Sequence, residues 1–299
     1  MIVSNRSLAI TALLSVSLGY GLLNVATRLL NLTLEPFTQV YLRIFVAMIA
    51  TLIIFYKDIR WSVLSKLGIK EWSTLVMMGV VGYGLMVYAI TIGALNTSLL
   101  NVSVLFSTVP IFVFLLGVIF LKRQWDYLTL AVLGTSIWGV GMLISGRLIP
   151  TLDHFGHGDV WVIVSALFEA IWYLGIRILA GKLNSREITF VAQAIASVVV
   201  FVLAMSYGEP LPTLADFASW HVSLGLFLGG AINVIAPLLT IYAFKYLDEV
   251  FATQLFLSEN VFSLAVGYFF YGEMIGFISL LGAGVVVASV YTLNKIQET

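Results

Sequence analysis

The chain has 299 residues, of which 61% are hydrophobic and only 10% charged, and its mean hydropathy is +1.05. A soluble domain carries ~25% charged residues, so this composition excludes a water-soluble globular protein and predicts an integral membrane protein. The 15 basic and 15 acidic residues cancel, which argues against a nucleic-acid partner, and the absence of cysteine excludes disulfides and thiolate metal sites.

Ten apolar runs follow one another along the chain, each close to the ~20 residues with which a helix spans a bilayer. The first run lacks a small-residue cleavage site and ends in Arg28, so we interpret it as a retained span and not as a signal peptide. Runs such as 102–121 show no alternation of apolar and polar residues, which favours helices over a β-barrel. The predicted spans are 8–28, 36–56, 73–93, 99–121, 127–146, 160–180, 188–207, 221–243, 250–271 and 275–293.

Basic residues in the loops predict the orientation, because Lys and Arg concentrate on the cytoplasmic side. With the N-terminus inside, the outer loops hold a single basic residue, Arg147. The inner segments then hold eleven basic residues: Arg6, Lys57, Arg60, Lys66, Lys70, Lys122, Arg123, Lys182, Arg186, Lys245 and Lys295. We therefore expect both termini in the cytoplasm.

The two halves of the chain resemble each other at an offset of 149 or 150 residues. The segment 110–123 aligns with 260–273, and Arg28 aligns with Arg177. Each half then holds five helices, and since five is odd, the second half enters the membrane upside down. The loop charges agree, because 57–71 carries four Lys or Arg and its partner 208–220 carries none. The predicted fold is an all-α integral membrane protein of two inverted five-helix repeats, 1–150 and 151–299.

Several motifs resemble those of the drug/metabolite transporter superfamily, in its EamA-type branch. They are YLRIF at 41–45, ALNTS at 94–98 with the helix of Pro110, and FFYGE at 269–273 followed by Gly282. Lys122 and Arg123 depart from the Gly-Glu pair that many members carry in the first half. The resemblance implies export of amino acids or other small metabolites, and in other branches carriage of drugs, sugars or nucleotide-sugars. The aromatic content also resembles that of the YddG-type aromatic amino-acid exporters.

Polar groups within spans are candidates for solute contact, since an unpartnered polar group in lipid costs several kcal/mol. Pro110 and Pro237 lie mid-span and free the carbonyls of Phe106 and Asn233. Such carbonyls can bind a solute, or a neighbouring Ser or Thr can satisfy them.

Three charged residues lie deep in the spans. Glu169 and Glu259 sit near mid-membrane and could carry protons, which would suit proton-coupled transport. Arg43 could bind a substrate carboxylate, and the alternative is an ion pair between Arg43 and a glutamate or snorkelling to the interface. Arg28 and Arg177, at helix ends, are expected to be interface anchors.

The remaining predicted substrate-binding positions are amphipathic or polar residues that suit a cavity for an apolar or aromatic side chain, although packing explains them as well. They are Asn24, Tyr83, Tyr88, Asn101, Ser107, Trp172, Tyr173, Asn233, Tyr242 and Ser258, together with Pro110 and Pro237. Small residues at Gly79, Gly82 and Gly84 predict close helix contacts.

No HExxH, GxSxG or GxxxxGK[ST] motif occurs, so we expect a non-enzyme without cofactor whose transport is passive or driven by an ion gradient. His154 and His157 in an outer loop could hold a metal, but no metal site is predicted. The predicted function is alternating-access export of small metabolites, most of all aromatic or other apolar amino acids, through a cavity lined by helices 1, 3, 4, 6, 8 and 9. Alternatives are a nucleotide-sugar or drug carrier of the same superfamily and, more remotely, a membrane enzyme acting on lipid. The expected partners are a small-molecule substrate and the lipid bilayer, with no obligate protein partner, in a bacterial inner membrane.

Overall fold

The structure, a computed structural model, describes residues 5–152, 155–272 and 274–297, without the side chains of Phe270 and Tyr271. Within those ranges the regular structure is entirely helical, and ten helices are long and apolar enough to cross a membrane, which confirms the predicted number of spans. They are α1 (Asn5–Leu30), α2 (Pro36–Phe55), α3 (Ile69–Asn96), α4 (Leu99–Leu121), α5 (Tyr127–Ser145), α6 (His157–Leu179), α7 (Ser185–Ser206), α8 (Trp220–Ala243), α9 (Glu249–Tyr271) and α10 (Phe277–Ile296). Two short helices, Trp61–Leu64 and Leu214–Ala218, lie in the connections before α3 and α8.

Polar caps fix where several helices begin. At the start of α5 the Asp126 carboxylate accepts hydrogen bonds from the backbone N–H groups of Leu128 and Thr129. At the start of α7, Asn184 and Glu187 form a reciprocal capping box. These bonds satisfy N–H groups that have no partner inside the helix, so each span begins at a defined residue.

Two helices are broken at equivalent positions. α4 divides into α4a (Leu99–Phe106) and α4b (Val109–Leu121), and α9 divides into α9a (Glu249–Leu255) and α9b (Ser258–Tyr271). At the breaks the hydroxyl of Thr108 donates to the Leu105 carbonyl at 2.6 Å, and that of Ser258 to the Leu255 carbonyl at 2.5 Å. Such bonds compete with the helical pattern, and they recur 150 residues apart. The sequence predicted a disturbance at Pro110 but no break in α9.

The ends of the two broken helices are equivalent as well. α4b ends at Lys122, which has φ 58°, and α9b ends at Gly272, which has φ 66°. Both residues adopt the left-handed conformation that terminates a helix.

The helices pack as pairs that the 150-residue offset relates to one another. α1 packs along α8 as α3 packs along α6, while α2 packs on α7 and α5 on α10. The Tyr83 hydroxyl donates to Asn233 Oδ1 at 2.6 Å, although these two residues are themselves equivalents 150 positions apart. Equivalent residues in contact mark a pseudo-two-fold axis, which confirms the predicted class of two five-helix repeats. The division at residue 150 stays a prediction.

The start of α1 and the end of α10 lie at one end of the bundle, where Arg6 Nη2 donates to Asn294 Oδ1 at 2.7 Å. We call this end the termini side and the opposite end the far side. The termini side carries the connections 56–68, 122–126, 180–184 and 244–248.

Glycines let helices of the two halves approach closely, as the sequence predicted. A Cβ at Gly82 would lie 2.9 Å from the backbone nitrogen and Cα of Trp172, and one at Gly229 would lie 2.5 Å from Cδ of Arg43. Gly79, Gly82 and Gly84 all fall in a π-helical segment of α3, Met78–Leu85.

Candidate solute site

Tyrosine side chains gather where the two halves meet at mid-bundle. Tyr83, held by Asn233, packs at a tilt on Trp172 with ring centroids 5.9 Å apart. One turn away from Glu169 on α6, the Tyr173 hydroxyl donates to Glu169 Oε1 at 2.7 Å. The structure therefore brings together four of the residues predicted for substrate binding with one predicted for proton coupling.

A second aromatic group continues from Tyr173. Its ring stacks on Phe244 and Phe256, with centroids 5.3 and 5.6 Å apart, and Tyr20 of α1 leans on Phe256 at 6.2 Å. Phe256 lies at the break in α9. The aromatic rings thus meet at the level where the broken helices expose their ends.

Glu169 and Glu259 lie within electrostatic reach of each other and of the Tyr20 hydroxyl. No ion pair involves either carboxylate within the described ranges, and Glu169 Oε2 is a buried oxygen without a hydrogen-bond partner. Both side chains are only half-buried although they sit at mid-helix, as is Tyr20. They therefore border a space between the halves.

Arg43 does not form the ion pair that the sequence left open. Its side chain is 8% exposed and Nη1 donates to the Thr27 hydroxyl at 2.9 Å, while Nε is buried without a partner. It lies against Gly229, one turn from Asn233, and within electrostatic reach of Tyr83. The guanidinium is thus a buried cation beside the same group of residues, with no carboxylate bonded to it in the described part of the chain.

The two prolines behave differently. Pro237 stays inside α8, and the Asn233 carbonyl that it deprives of a donor accepts a hydrogen bond from Gln193 Nε2 at 2.8 Å. The Asn233 carbonyl therefore has a hydrogen-bond partner within the protein, as one of the two predicted alternatives required, but the donor is a glutamine and not Ser or Thr. Pro110 is buried near the start of α4b, just after the break, where a missing N–H costs least.

Several other predicted residues lie apart from this group. Asn101 was expected to face inward, but its amide donates to Asp159 at 2.8 Å and to Thr97 at 3.1 Å, which ties α4a to α6 on the far side. Tyr88 bonds to Tyr207 at 3.0 Å and stacks on Phe37.

The last predicted positions have local roles. Ser107 and Ser258 are buried and bond to their own helices at the breaks, and Tyr242 packs on Tyr246 near the end of α8. Asn24 donates to Ser263 at 3.3 Å, which joins α1 to α9b.

The sequence reasoning did not single out Tyr20, Phe256, Ser263 or Gln193. Tyr20 is the repeat equivalent of Glu169 at an offset of 149, so the repeat itself could have pointed to it. No group of three metal-binding side chains occurs in the described residues. His157 accepts a hydrogen bond from Trp161, and His154 lies outside the described ranges.

The space between the halves is closed on one side. α4b packs directly on α9a at the termini side, where α9a is buried at all seven residues. On the far side α4a packs on α5 and α6, and α9b packs on α1. In α4a, the repeat equivalent of α9a, only Asn101 and Leu105 are buried. The two broken helices therefore meet at the termini side through α4b and α9a, whereas at the far side α4a and α9b pack on other helices.

Comparison with known proteins agrees with this architecture. The model of the EamA-like transporter family matches the chain twice, over residues 7–145 and 156–295. The chain belongs to the EamA-like transporter family. Each match covers one five-helix half, as expected of a family with a duplicated architecture.

Two further similarities extend over most of this EamA-like protein. It is 25% identical over 196 residues to a protein of Archaeoglobus fulgidus named an uncharacterized transporter. The matched segment covers 65% of this chain and 67% of the relative. A solved crystal structure shares 13% identity at a TM-score of 0.77, covering 96% of each chain, and this likeness shows the fold alone. The EamA-like chain is thus a multi-pass membrane protein whose family and relative indicate a transporter and not an enzyme.

Proposed function

We propose that this protein is a secondary transporter that exports amino acids with aromatic or other apolar side chains by alternating access. The solute would bind between the halves, among the aromatic rings, with Arg43 beyond Tyr83 and with Glu169 and Glu259 beside Tyr20. Family membership supports transport of a small molecule, and the arrangement of charges supports the substrate class.

The proposal starts from opposite charges without counter-ions: Arg43 is within electrostatic reach of Tyr83, and both Tyr83 and the two glutamates are within reach of Tyr20. Arg43 has no carboxylate partner, and neither Glu169 nor Glu259 has a cationic one, among the described residues. A buried charge without a counter-ion is costly, and a zwitterionic solute offers both missing partners. Arg43 would take the carboxylate and the glutamates the ammonium group.

The side chain of the solute would lie among Tyr20, Tyr83, Trp172 and Phe256. Rings with polar tips accept an apolar or aromatic group while leaving hydrogen bonds for the polar end. A nucleotide-sugar is less well matched, because its diphosphate needs several cations and Arg43 is the basic side chain that lies deepest within the described spans.

Orientation and coupling complete the proposal. The basic connections on the termini side support a cytoplasmic location of both termini, and the membrane would be a bacterial inner membrane. Glu169 and Glu259 would also carry the coupling proton, because an ammonium group and protons compete for the same carboxylates.

Counterflow of labelled phenylalanine into proteoliposomes tests the substrate class. We expect competition by phenylalanine and by other apolar amino acids, weaker competition by phenylalanine amide and by N-acetylphenylalanine, and none by UDP-sugars. Competition by UDP-sugars alone would support the nucleotide-sugar carrier. Lipid turnover without solute flux would support the enzyme.

Charge-neutral variants test the assigned roles. Arg43→Gln should raise the half-saturation for phenylalanine but not for its amide, since the amide has no carboxylate to lose. Glu259→Gln should abolish the dependence of flux on a pH gradient. Unchanged dependence would remove Glu259 from the coupling.

A further inference from the structure

A cluster of four charged residues lies where the termini side is closed. Arg123 Nη1 contacts Asp248 Oδ2 at 2.5 Å and Glu249 Oε1 at 3.3 Å, and Arg177 Nε contacts Glu249 Oε2 at 3.3 Å. We call Arg123, Arg177, Asp248 and Glu249 the termini-side cluster. It joins the end of α4b, in the first half, to the end of α6 and the start of α9a in the second.

Local backbone structure aims these side chains at one another. The left-handed Lys122 turns the chain at the end of α4b, and the backbone N–H groups of Lys122 and Arg123 both donate to the Gly117 carbonyl. Gly117 also leaves room, since a Cβ there would lie 3.6 Å from Arg123 Cδ and from Glu249 Oε1. Arg123 is thus held across the start of α9a.

Further hydrogen bonds tie the cluster to neighbouring helices. Arg177 Nη1 donates to the Phe244 carbonyl at 2.8 Å, which links the end of α6 to the end of α8. Gln297 Nε2 donates to Asp248 Oδ1 at 2.7 Å, which adds the end of α10. From the sequence we expected Arg177 to anchor at the membrane–water interface, whereas its side chain contacts Glu249 and the Phe244 carbonyl within this cluster. An open cavity of about 570 Å³ lies over the cluster on the termini side.

The residues that the repeat pairs with this cluster carry a different set of charges. At an offset of 150, Asp248 corresponds to Ser98, Glu249 to Leu99 and Arg123 to Glu273, whereas Arg177 corresponds to Arg28 at 149. Closure of the far side by the same movement would therefore not repeat the contacts of Arg123 with Asp248 and Glu249.

We propose that the termini-side cluster is the gate that keeps the solute site closed to the termini side and biases the protein toward the state open to the far side. This inference rests on the proposed transport function for the solute that the gate encloses, while the gate itself is argued from the contacts of the cluster. Opening the termini side separates α4b from α9a, and it must break the contacts of Arg123 with Asp248 and Glu249. Removing these contacts therefore shifts the conformational equilibrium toward the state open on the termini side.

The chain has no cysteine, so single cysteines can report access from each side. Thr253 lies one turn beyond Glu249 in α9a and is 2% exposed, so Thr253→Cys reports opening of the termini side. Asn24→Cys, at the far-side end of the aromatic group, reports the opposite opening. Both are labelled in sealed vesicles with a membrane-impermeant maleimide applied to one side at a time.

In the Arg123→Gln and Glu249→Gln backgrounds we expect Thr253→Cys to react about tenfold faster from the termini side, which corresponds to ~1.4 kcal/mol in the opening equilibrium. Asn24→Cys should react more slowly from the far side in the same proteins. Arg123→Lys, which keeps the charge, should leave both rates near those of the parent. Lys182→Gln is the matched control, because it removes the pair of Lys182 with Glu71, which links α3 to the α6–α7 connection on the same side.

Unchanged labelling of Thr253→Cys in both neutral variants would overturn the proposal. So would a parallel rise at Thr253 and Asn24 in both, because that pattern shows loss of fold and not a change of state. Since no solute enters the measurement, a reciprocal change without amino-acid flux would leave the gate standing and reject the proposed substrate.

Discussion

Gln193 is expected to hold the kink of α8 in place. Its side chain is fully buried, its amide donates to the Asn233 carbonyl at 2.8 Å, and its Oε1 accepts from the Thr51 hydroxyl at 3.0 Å. Gln193→Leu removes both bonds and leaves the Asn233 carbonyl without a donor, because Pro237 has none to offer.

The magnitude follows from these contacts. Interhelical hydrogen bonds in membranes contribute about 0.6 kcal/mol each on average, and an unsatisfied buried carbonyl costs about 1–3 kcal/mol. We therefore expect Gln193→Leu to lower the free energy of unfolding by ~2–4 kcal/mol. In a Pro237→Ala background the N–H of residue 237 can donate to the Asn233 carbonyl, so the same change should cost only ~1 kcal/mol.

Equilibrium unfolding in mixed detergent micelles, followed by circular dichroism, measures all four proteins of the cycle. Thr189→Val is the matched control one turn earlier in α7, since the Thr189 hydroxyl is buried without a partner and its loss should not destabilise. An equal cost of Gln193→Leu in both backgrounds would refute the link between Gln193 and the proline.

Three smaller predictions concern caps and close contacts. The Thr129 hydroxyl, and then the N–H groups of Leu128 and Thr129, lower the pKa of Asp126. The ionised cap therefore stabilises the fold above the unfolded-state pKa of about 3.9, and this stabilisation is lost as the pH falls through the folded-state pKa. Asp126→Ala should therefore cost ~1 kcal/mol in chemical unfolding at pH 7 and clearly less near pH 3, whereas an equal cost at both would contradict the capping role. Lys122→Gly should increase the free energy of unfolding by up to ~1 kcal/mol and so raise the thermal midpoint, because residue 122 has φ 58° and glycine adopts this conformation without strain. A lower midpoint would count against that conformation. Gly82→Ala should cost ~1–3 kcal/mol in the same melts, since its Cβ would meet the Trp172 backbone at 2.9 Å, while Gly134→Ala, with open space around it, serves as the control.

The sequence predicted the ten spans and the repeat because both depend on composition and on spacing along the chain. It could not predict the break in α9, where Ser258 takes the role of Thr108 without any proline nearby. A hydroxyl that bonds back to its own helix looks, in sequence, like any other serine.

The site was predictable only in part, for a related reason. Tyr83, Trp172, Tyr173 and Asn233 were predicted because polar groups deep in a span are rare, and the structure brings them together. Asn101 has the same character, but Asp159 from another helix meets it on the far side, and only packing reveals that partner.

Insertion of the two halves in opposite directions is tested most directly by labelling one position in each half. Lys66 and Ala215 are equivalent at an offset of 149, and both are exposed in the connections that precede α3 and α8. In the cysteine-free chain, Lys66→Cys and Ala215→Cys can each be labelled with an impermeant maleimide in sealed vesicles of known orientation. We expect labelling from opposite faces, with Lys66→Cys reacting from the cytoplasmic one. Reaction of both positions from the same face would contradict it.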